Sequence, residues 1–461
     1  MFSRSLFIFR RDLRLDDNIG LLDAIKNSQE VIPVFILDPR QVEDHPYRSI
    51  NAQQFLFESL KELNQLLVKK NSALNLLYGV AEEVIDQILT NSKSSSDKID
   101  AVFFNRDYTP FSNSRDEAIY KVCQKHSAIL VLSHDALLTE PQKSLKDDGK
   151  PYTVFTPFFK KNSKTLPPKV IKCDNANFSS KQLPESKDIE FLDKLLPSYN
   201  SNIFIKGGRK EGLNLIEKKV ASLTNYNDQR NLPAIDGTSG LSAHHKFGTV
   251  SIRETFWKAK ECLAENNNFI SELYWRDFFT CIGYFFPHVY GKSFHSRYDA
   301  LVWDEPKEQF NAWCQGLTGF PIVDAGMRQL NQTGWMHNRV RMIVASFLIK
   351  DLHIDWRIGE KYFAQKLIDY DPAVNNGSWQ WAASTGCDAQ PYFRIFNPKL
   401  QQEKFDANVE YIKFWIPELK SFSAKQIHSF ETTSLGSYPK PIIEHASEKK
   451  ETERRYSVVV K

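Results

Sequence analysis

The chain has 461 residues, enough for roughly two to four domains. Apolar residues make up 41% and charged residues 25%, the ordinary balance of a globular protein, and a net charge of +4 does not by itself indicate a polyanionic partner. No run approaches the roughly 20 apolar residues of a membrane span, and the N-terminal residues lack the apolar core of a signal peptide. Six scattered cysteines without a C-x-x-C pair indicate reduced thiols rather than a zinc site or a disulfide framework. We therefore expect a cytoplasmic protein without a metal.

Residues 1–135 alternate short runs of β-type residues with helical patterns. This alternation predicts an α/β domain with a parallel, Rossmann-like sheet that carries helices on both faces. No G-x-G-x-x-G sequence follows the first run, so the usual dinucleotide fingerprint is missing. The predicted strands are Leu6–Phe9, Val31–Leu37, Leu74–Tyr78 and Ala101–Asn105, and the predicted helices are Asn18–Lys26, Ala52–Lys69 and Ala81–Leu89.

Composition divides the rest of the chain into three parts. Residues 136–205 include a polar stretch rich in Pro, Ser and Lys, which predicts a long surface connection between domains. Apolar residues in 206–435 mostly follow i, i+3/i+4 spacing, which predicts a mainly α-helical domain. All nine tryptophans lie between Trp257 and Trp415. Residues 436–461 are short and charged, and we expect this tail to fray.

The segment DGTSGLS, Asp236–Ser242, combines a glycine with three hydroxyl side chains. Gly240 permits close approach of the backbone, and Thr238, Ser239 and Ser242 could hold a phosphate together with N–H groups at the start of a helix. The same residue types are also typical of a helix cap beside a turn. Taken alone, the segment leaves both interpretations open.

The segment ISELYWRDFF, Ile270–Phe279, places a carboxyl, an indole and a guanidinium on one helix. Glu272 and Trp275 share a face, and the spacing of Glu272 and Arg276 suits an ion pair. One interpretation is an amphipathic helix with a surface ion pair and a half-buried indole. The other is a cleft, in which an adjacent indole raises the pKa of the carboxyl and suits it to hydrogen-bond a ligand or donate a proton to it.

The stretch from Trp335 to Trp381 gathers indoles, cations and carboxylates. WMHNRVRM begins a helix with a polar turn, and Asn338 and Met342 lie four apart on one face. LIDYDPAVNNGSWQW follows, with two aspartates just before a proline. Large aromatic faces beside fixed polar groups suit a flat conjugated ligand or a nucleic-acid base. An exposed basic turn and two cap or turn aspartates are the simpler alternatives.

Together these motifs resemble the photolyase/cryptochrome family, and most closely its class I cyclobutane pyrimidine dimer photolyases. The similarity covers nearly the whole chain and rests on FIFRRDLRLDDNIGLLDA, DGTSGLS, SELYWRDFF, WMHNRVRM, DYDPAVNNGSWQWAASTG and IFNPKLQQEKFD. It implies an α/β antenna-binding domain joined by a linker to a helical FAD-binding domain. The implied activity is light-driven repair of DNA, in which excited, reduced FAD passes an electron to a pyrimidine dimer flipped out of the duplex.

The resemblance also implies the partner, UV-damaged DNA, bound by a monomer that needs no obligate protein partner. A blue-light receptor of the cryptochrome type, which binds FAD without repair, is the first alternative. A nucleotide-binding protein that holds single-stranded DNA with its aromatic side chains is the second.

By this resemblance, a U-shaped FAD lies in the helical domain. Arg341 would pair with Asp369, and Asn375 would face flavin N5, where an amide supplies no ready proton. The residues implied in FAD binding are Tyr226, Thr238, Ser239, Gly240, Leu241, Ser242, Arg276, Arg341, Asp369, Tyr370, Asp371 and Asn375.

The resemblance assigns two further sets of residues. The implied catalytic residues hydrogen-bond the dimer, pack below it or face the flavin, and they are Glu272, Asn338, Met342 and Asn375. The implied DNA-binding residues stack on the dimer, bond its edges or meet phosphates, and they are Arg230, Glu272, Trp275, Asn338, Arg339, Trp381 and Gln401. Three indoles match an electron-transfer chain from the flavin to the surface: Trp379, Trp356 and Trp303.

Two departures narrow the assignment. Asn338 stands where relatives that repair six–four photoproducts carry a second histidine, which favours the dimer-specific branch. Ser112 stands where folate-binding relatives carry a glutamate, and the cysteine of their Cys-Lys pair is missing, although Lys292 is nearby. For the antenna chromophore, a deazaflavin, a folate, a second flavin and no antenna all stay open.

Overall fold

The computed structural model describes residues 1–43, 45–92 and 97–460. The N-terminal part is a five-stranded, fully parallel sheet of order β3-β2-β1-β4-β5. Its strands are β1 Phe2–Phe9, β2 Ser28–Leu37, β3 Asn75–Tyr78, β4 Ala101–Asn105 and β5 Ile129–Ser133. Alternate residues of β1 belong to different cores, Phe7 and Phe9 to one and Leu6 and Ile8 to the other. Both faces of the sheet are therefore covered, as expected of a parallel sheet, and the predicted α/β architecture is confirmed.

Five helices accompany the strands: α1 Ile19–Asn27, α2 Pro39–Val42, α3 Ile50–Val68, α4 Ala81–Asn91 and α5 Pro110–Lys125. Asn18 caps α1 by accepting a hydrogen bond from the N–H of Leu21, which explains where that predicted helix begins. Neither α5 nor β5 was predicted. The first is mostly polar and shows no clear apolar pattern, whereas the second, ILVLS, is a short apolar run that the prediction missed.

The segment 136–205 does more than connect two domains over the surface. It contains α6 Phe155–Asn162 and α7 Phe191–Leu195. Phe178 forms a bridge to Val31 at the start of the sheet, while Phe158 is buried against the helical part. The polar composition predicted exposure and gave no sign of these apolar anchors.

The remainder is mainly helical, as predicted, with its largest core built around four helices that carry Leu330, Val344, Phe363 and Trp379. A Pro at the first turn and Gly334 at a left-handed φ of 70° set the two ends of the first of these. The helices are α8 Arg209–Leu215, α9 Tyr226–Gln229, α10 Ser242–Phe247, α11 Ile252–Cys262, α12 Phe269–Phe285, α13 Lys307–Gln315, α14 Pro321–Thr333, α15 Asn338–Lys350, α16 Trp356–Lys366, α17 Pro372–Ala383, α18 Pro398–Phe405, α19 Glu410–Trp415 and α20 Ala424–His428.

The prediction that residues 436–461 form a fraying tail was wrong, since α21 spans His445–Val460. Its buried residues, His445, Thr452 and Tyr456, are spaced by seven and four and so share one face. Each is held by a hydrogen bond: His445 to Asp351 at 2.5 Å, Thr452 to the carbonyl of Lys350 at 2.5 Å, and Tyr456 to the carbonyl of Ala383 at 2.7 Å. Polar anchors of this kind leave no apolar stripe for a sequence pattern to reveal.

A buried group of charges, the junction network (Arg14, Asp17, Asp135 and Arg253), joins the sheet to α11. Arg14 donates to both carboxylate oxygens of Asp135, at 2.7 and 2.6 Å. Arg253 on α11 donates to Asp17 at 2.9 Å and to Asp135 at 2.8 Å. This network fixes the sheet against the helices that carry the candidate site. Among the described helices, none is sufficiently long and apolar to cross a bilayer.

Candidate functional site

The turn before α17 places two carboxylates together. Arg341 on α15 donates to both oxygens of Asp369, at 3.2 and 2.9 Å, so this predicted ion pair is present. Asp371 caps α17 by accepting hydrogen bonds from the N–H groups of Ala373 and Val374, at 3.0 and 3.3 Å. Asp369 is thus held by Arg341, whereas Asp371 also caps a helix.

Three cations surround Asp371. Burial alone would raise the pKa of Asp371, but the charges of Arg11, Lys246 and Arg276 outweigh it and hold that pKa below its usual range. Arg11 reaches this carboxylate from the loop after β1 and also donates to Asp107 at 3.1 Å. Neither Arg11 nor Lys246 was predicted as a site residue, because only the fold brings residues so distant in the chain together.

Asn375 on α17 is tied to a buried acid on the neighbouring helix. Its side-chain N–H group donates to the backbone carbonyl of Glu360 at 3.2 Å and to the Glu360 carboxyl at 3.3 Å. Burial raises the pKa of Glu360 to about 7. Beside this pair, Tyr370 stacks on Tyr47 with ring centroids 6.2 Å apart. Glu360 and Tyr47 had not been predicted, since neither lies in one of the recognised motifs.

The DGTSGLS segment leads directly into α10. Gly240 has a left-handed φ of 67°, and Leu241, the residue that precedes the helix, provides no side-chain cap. None of the hydroxyl side chains therefore stands at the capping position of α10, which Leu241 occupies. The hydroxyl of Ser239 accepts a hydrogen bond from the N–H of Leu241, at 3.3 Å. Thr238 and Ser239 are partly exposed and Ser242 is exposed, so the hydroxyls are accessible beside the first N–H groups of α10.

Arg276 does not pair with Glu272, contrary to what their spacing suggested. It donates instead to the backbone carbonyls of Ala136 and, at 3.1 Å, of His245 near the end of α10. Its positive charge consequently lies with Asp371 and α10. Tyr226 is buried in the same apolar cluster as Leu241.

Glu272 pairs with Arg230 at 2.7 Å, and with Arg339 these two residues form the cationic cluster (Arg230, Glu272 and Arg339). Burial raises the pKa of Glu272 and outweighs the attraction of Arg230. Burial and the neighbouring Arg230 lower the pKa of Arg339. The raised pKa of Glu272 agrees with the cleft interpretation of its helix.

The start of α15 adds polar groups beside this cluster. Asn338 is exposed, and its amide lies 3.9 Å from the sulfur of Met342, so both occupy the face that the sequence predicted. Arg339 donates to Asn231 at 2.8 Å and lies over the ring of Phe405 on α18. Gln401, on the same helix, has a buried side-chain oxygen with no partner among the described residues.

Two half-buried indoles flank this region. Trp275 on α12 stacks on Phe155 of α6, with centroids 3.7 Å apart and planes inclined by 9°. Trp381 on α17 packs against Phe396 at 6.4 Å. Phe155 was not expected at the site, because it belongs to the predicted linker.

The three other predicted indoles lie along neighbouring elements. Trp379 is buried on α17, and its ring lies against the backbone of α16 at Gly359. The contact is so close that a Cβ atom at Gly359 would clash with the indole. Trp356, also buried, begins α16 one turn before that glycine. The residue after Trp303, Asp304, donates its N–H to the carbonyl of His353 at 2.9 Å. Because Trp303 is partly exposed, the series leads from the core towards the surface.

Two family profiles match the chain: that of DNA photolyase over residues 5–175, and that of the FAD binding domain of DNA photolyase over residues 269–458. A deoxyribodipyrimidine photo-lyase from Alkalihalophilus pseudofirmus is 37% identical over 466 residues, which cover 96% of this chain and 95% of the relative. The chain belongs to the DNA photolyase family.

Solved structures of photolyases share the whole fold. The archaeal photolyase from Sulfolobus tokodaii, solved with two FAD molecules, has a TM-score of 0.90 and 42% identity, covering 99% of this chain and 100% of its own. The class III photolyase from Agrobacterium tumefaciens has a TM-score of 0.92 and 35% identity, covering 100% of this chain and 98% of its own.

The residues of this family member fit FAD. A diphosphate suits the start of α10, where backbone N–H groups lack a side-chain cap. Asp369 and Asp371 can accept hydrogen bonds from ring N–H and hydroxyl groups, and Asn375 adds an amide on the same side. The donor set therefore matches a dinucleotide with a flat, polar-edged ring.

Proposed function

We propose that this protein repairs cyclobutane pyrimidine dimers in DNA under blue light, with FAD as its cofactor, as a class I photolyase that acts as a monomer. The observation that carries the proposal is the cationic cluster, in which Glu272, a carboxyl of raised pKa, pairs with Arg230, and Arg339 at the start of α15 adds a second guanidinium group near Arg230. Relatives named deoxyribodipyrimidine photo-lyase match the chain from end to end. When bound and reduced, FAD would supply the light-driven electron that opens the dimer.

In this proposal the side chains around the cluster hold the extruded dimer. Glu272 and Asn338 hydrogen-bond its polar edges, and Arg230 holds the Glu272 carboxyl in place at 2.7 Å. Trp275 and Trp381 offer flat apolar faces to the bases, and Met342 packs below them. Arg339 and Arg230 attract the phosphates on either side, and Gln401 adds a polar group from α18.

Two groups of residues serve the cofactor. Asn375 carries no titratable proton, and its hydrogen bonds to Glu360 hold the amide in place beside the ring. Trp379, Trp356 and Trp303 would carry an electron inward from the surface, since indoles are readily oxidised and lie on adjoining elements. The chain's own residues thereby orient the amide beside the ring and provide a path for electrons.

Repair of a defined lesion tests the proposal. Reduced protein is illuminated with an oligonucleotide carrying one thymine dimer, and restored thymines are counted. We expect Glu272→Ala to lower affinity for the dimer by roughly three- to tenfold, the cost of one hydrogen bond, while FAD stays bound. The control is Glu265→Ala, an exposed carboxyl just before α12. A flavin spectrum without repair in the wild type would instead identify a cryptochrome-type receptor.

The tryptophan chain has a separate test. Trp303→Phe should strongly slow photoreduction of the oxidised protein, because the electron's entry point at the surface is lost. Repair by protein reduced beforehand should be unaffected. Trp415→Phe, which is not one of the three electron-transfer indoles, should change neither the rate of photoreduction nor the rate of repair. Loss of repair in the prereduced Trp303→Phe protein would contradict the assigned role.

We infer that any antenna chromophore is not a folate. Ser112, at the position of the folate-binding glutamate, is buried, and its hydroxyl donates to Asp107 at 3.0 Å as part of the start of α5. The hydroxyl of Ser112 is therefore already used in a hydrogen bond within the protein and is not available to a folate. Absorption spectra of the purified protein before and after chromophore release would distinguish a deazaflavin, a second flavin and a folate; a released folate would contradict the inference.

A further inference from the structure

We propose that Phe155 and Asp388 are positioning residues that fix the plane of Trp275 and thereby set the affinity for the lesion. The inference rests on the proposed function, because it concerns the indole assigned to stack on the dimer. Phe155 belongs to the predicted linker, and Asp388 follows α17.

The contact between Phe155 and Trp275 is close and nearly parallel. Their centroids are 3.7 Å apart and their planes differ by 9°, which is closer than the 4.5–7 Å typical of aromatic pairs. Phe278 meets the indole edge-on at 5.6 Å, and Phe279 lies at 5.3 Å with a tilt of 35°. With one face covered by Phe155, the indole can stack on a base only through the opposite face.

Phe155 is itself held by a carboxylate from another part of the chain. It is the first residue of α6, whose preceding residue, Val154, provides no side-chain cap. Asp388 takes that role, since its carboxylate accepts the N–H of Phe155 at 2.9 Å. A negative charge at a helix start is stabilising, so Asp388 fixes where α6 begins and hence where Phe155 lies.

The segment that carries Asp388 is closed onto the end of α17. The N–H of Gln390 donates to the carbonyl of Trp381 at 3.3 Å, and that of Gly386 donates to Gln380 at 3.2 Å. A small cavity between α12 and this segment is lined by residues that include Phe279, Trp381 and Asp388. Both indoles assigned to the dimer are therefore positioned by the end of α17 and the segment that follows it. Trp381 belongs to α17 itself, and Trp275 is positioned through Asp388 and Phe155.

This arrangement has an energetic consequence for binding. A side chain that must be ordered when a ligand binds reduces affinity, and a side chain ordered beforehand does not. Phe155→Leu removes the flat support while keeping an apolar side chain of similar size. We expect it to weaken dimer binding by about three- to tenfold, with unchanged binding of undamaged DNA.

The experiment measures the ratio of the two dissociation constants, dimer-containing over undamaged duplex, for the FAD-loaded protein. Phe155→Leu and Asp388→Asn should both raise the ratio, and Phe155→Tyr, which keeps a flat ring, should restore it. Phe204→Leu is the matched control, because Phe204 stacks on Trp335, an indole not assigned to the dimer, with centroids 4.0 Å apart and planes inclined by 5°. Should Phe155→Leu fail to fold, Asp388→Asn alone decides.

A double-mutant cycle with Trp275→Ala separates positioning from general packing. If Phe155 acts through the indole, Phe155→Leu should have no further effect on the ratio once Trp275 is absent. Additive effects, or an unchanged ratio in Phe155→Leu and Asp388→Asn, would overturn the inference. A wild-type protein that does not distinguish dimer from undamaged DNA would instead refute the proposed function.

Discussion

The junction network and the cationic cluster both concentrate charged side chains, but they balance them differently. At the junction, Arg14 and Arg253 face Asp17 and Asp135, two cations against two carboxylates, all of them buried. In the cationic cluster, Arg230 pairs with the single carboxylate, Glu272, while Arg339 donates to the uncharged Asn231, and all three side chains are accessible in part.

The difference separates a structural from a functional use of charge. Burying a charge is costly unless a partner compensates it, so the balanced junction serves the fold and offers nothing to a ligand. An excess of cations near the surface attracts an anion from outside, and DNA phosphates are such anions. The pKa values follow the same division: Arg14 and Arg253 overcome burial and lower the pKa of Asp135, whereas that of Glu272 is raised.

The largest expected effect comes from breaking the balance at the junction. Asp135→Asn keeps the shape of the side chain but leaves two buried guanidinium groups short of one negative charge. We expect the free energy of unfolding to fall by about 3–5 kcal/mol, measured by urea denaturation. Glu272→Gln, in the partly accessible cluster, should cost about 1 kcal/mol or less. Equal losses would contradict the proposed division.

The next effect depends on pH and concerns Glu360, a buried acid that pairs with no cation among the described residues. Burial raises the pKa of Glu360 from 4.5 to about 7, so the folded state favours the protonated form. This contribution to stability is fully present below pH 4.5 and is lost as the pH rises through 7, a change of about 3 kcal/mol. Unfolding of Glu360→Gln should lack that part of the pH dependence.

The exposed residue Glu83 on α4 supplies the control for this measurement. Glu83→Gln should follow the wild-type profile of stability against pH. If Glu360→Gln also follows it, the Glu360 carboxyl does not titrate between pH 4.5 and 7 in the folded protein.

Sequence patterns predicted the strands and helices well where apolar residues formed a regular pattern or a capping residue marked the start of a helix. Buried strands such as Ala101–Asn105 and the helix start after Asn18 were located to within a residue. The ion pair between Arg341 and Asp369 was also predicted, through the family resemblance. Failures occurred where burial relies on polar contacts, as in α21, whose anchors are His445 and Thr452.

Contacts between residues far apart in the sequence were the other feature that could not be predicted. Helical spacing shows which residues share a face, but it does not show what that face meets. The spacing therefore allowed Glu272 to pair with Arg276, but Glu272 pairs with Arg230. Likewise, Arg11 contacts Asp371 across 360 residues, a relation that no local pattern contains.

The smallest effect tests the cation excess itself. Arg339 donates to Asn231, an uncharged amide, and no carboxylate pairs with it in the described parts of the chain. Its charge is therefore available to a phosphate, and each phosphate neutralised on duplex DNA contributes about 0.9 to the slope of log affinity against log salt. Arg339→Ala should reduce that slope by about 0.9 and weaken the binding of dimer-containing and undamaged DNA alike, measured by fluorescence anisotropy at several salt concentrations.

The control for Arg339→Ala is Lys121→Ala, on α5 and paired with Glu117, which should leave the slope unchanged. A changed affinity with an unaltered slope would mean that Arg339 supports Phe405 and Asn231 and does not meet a phosphate.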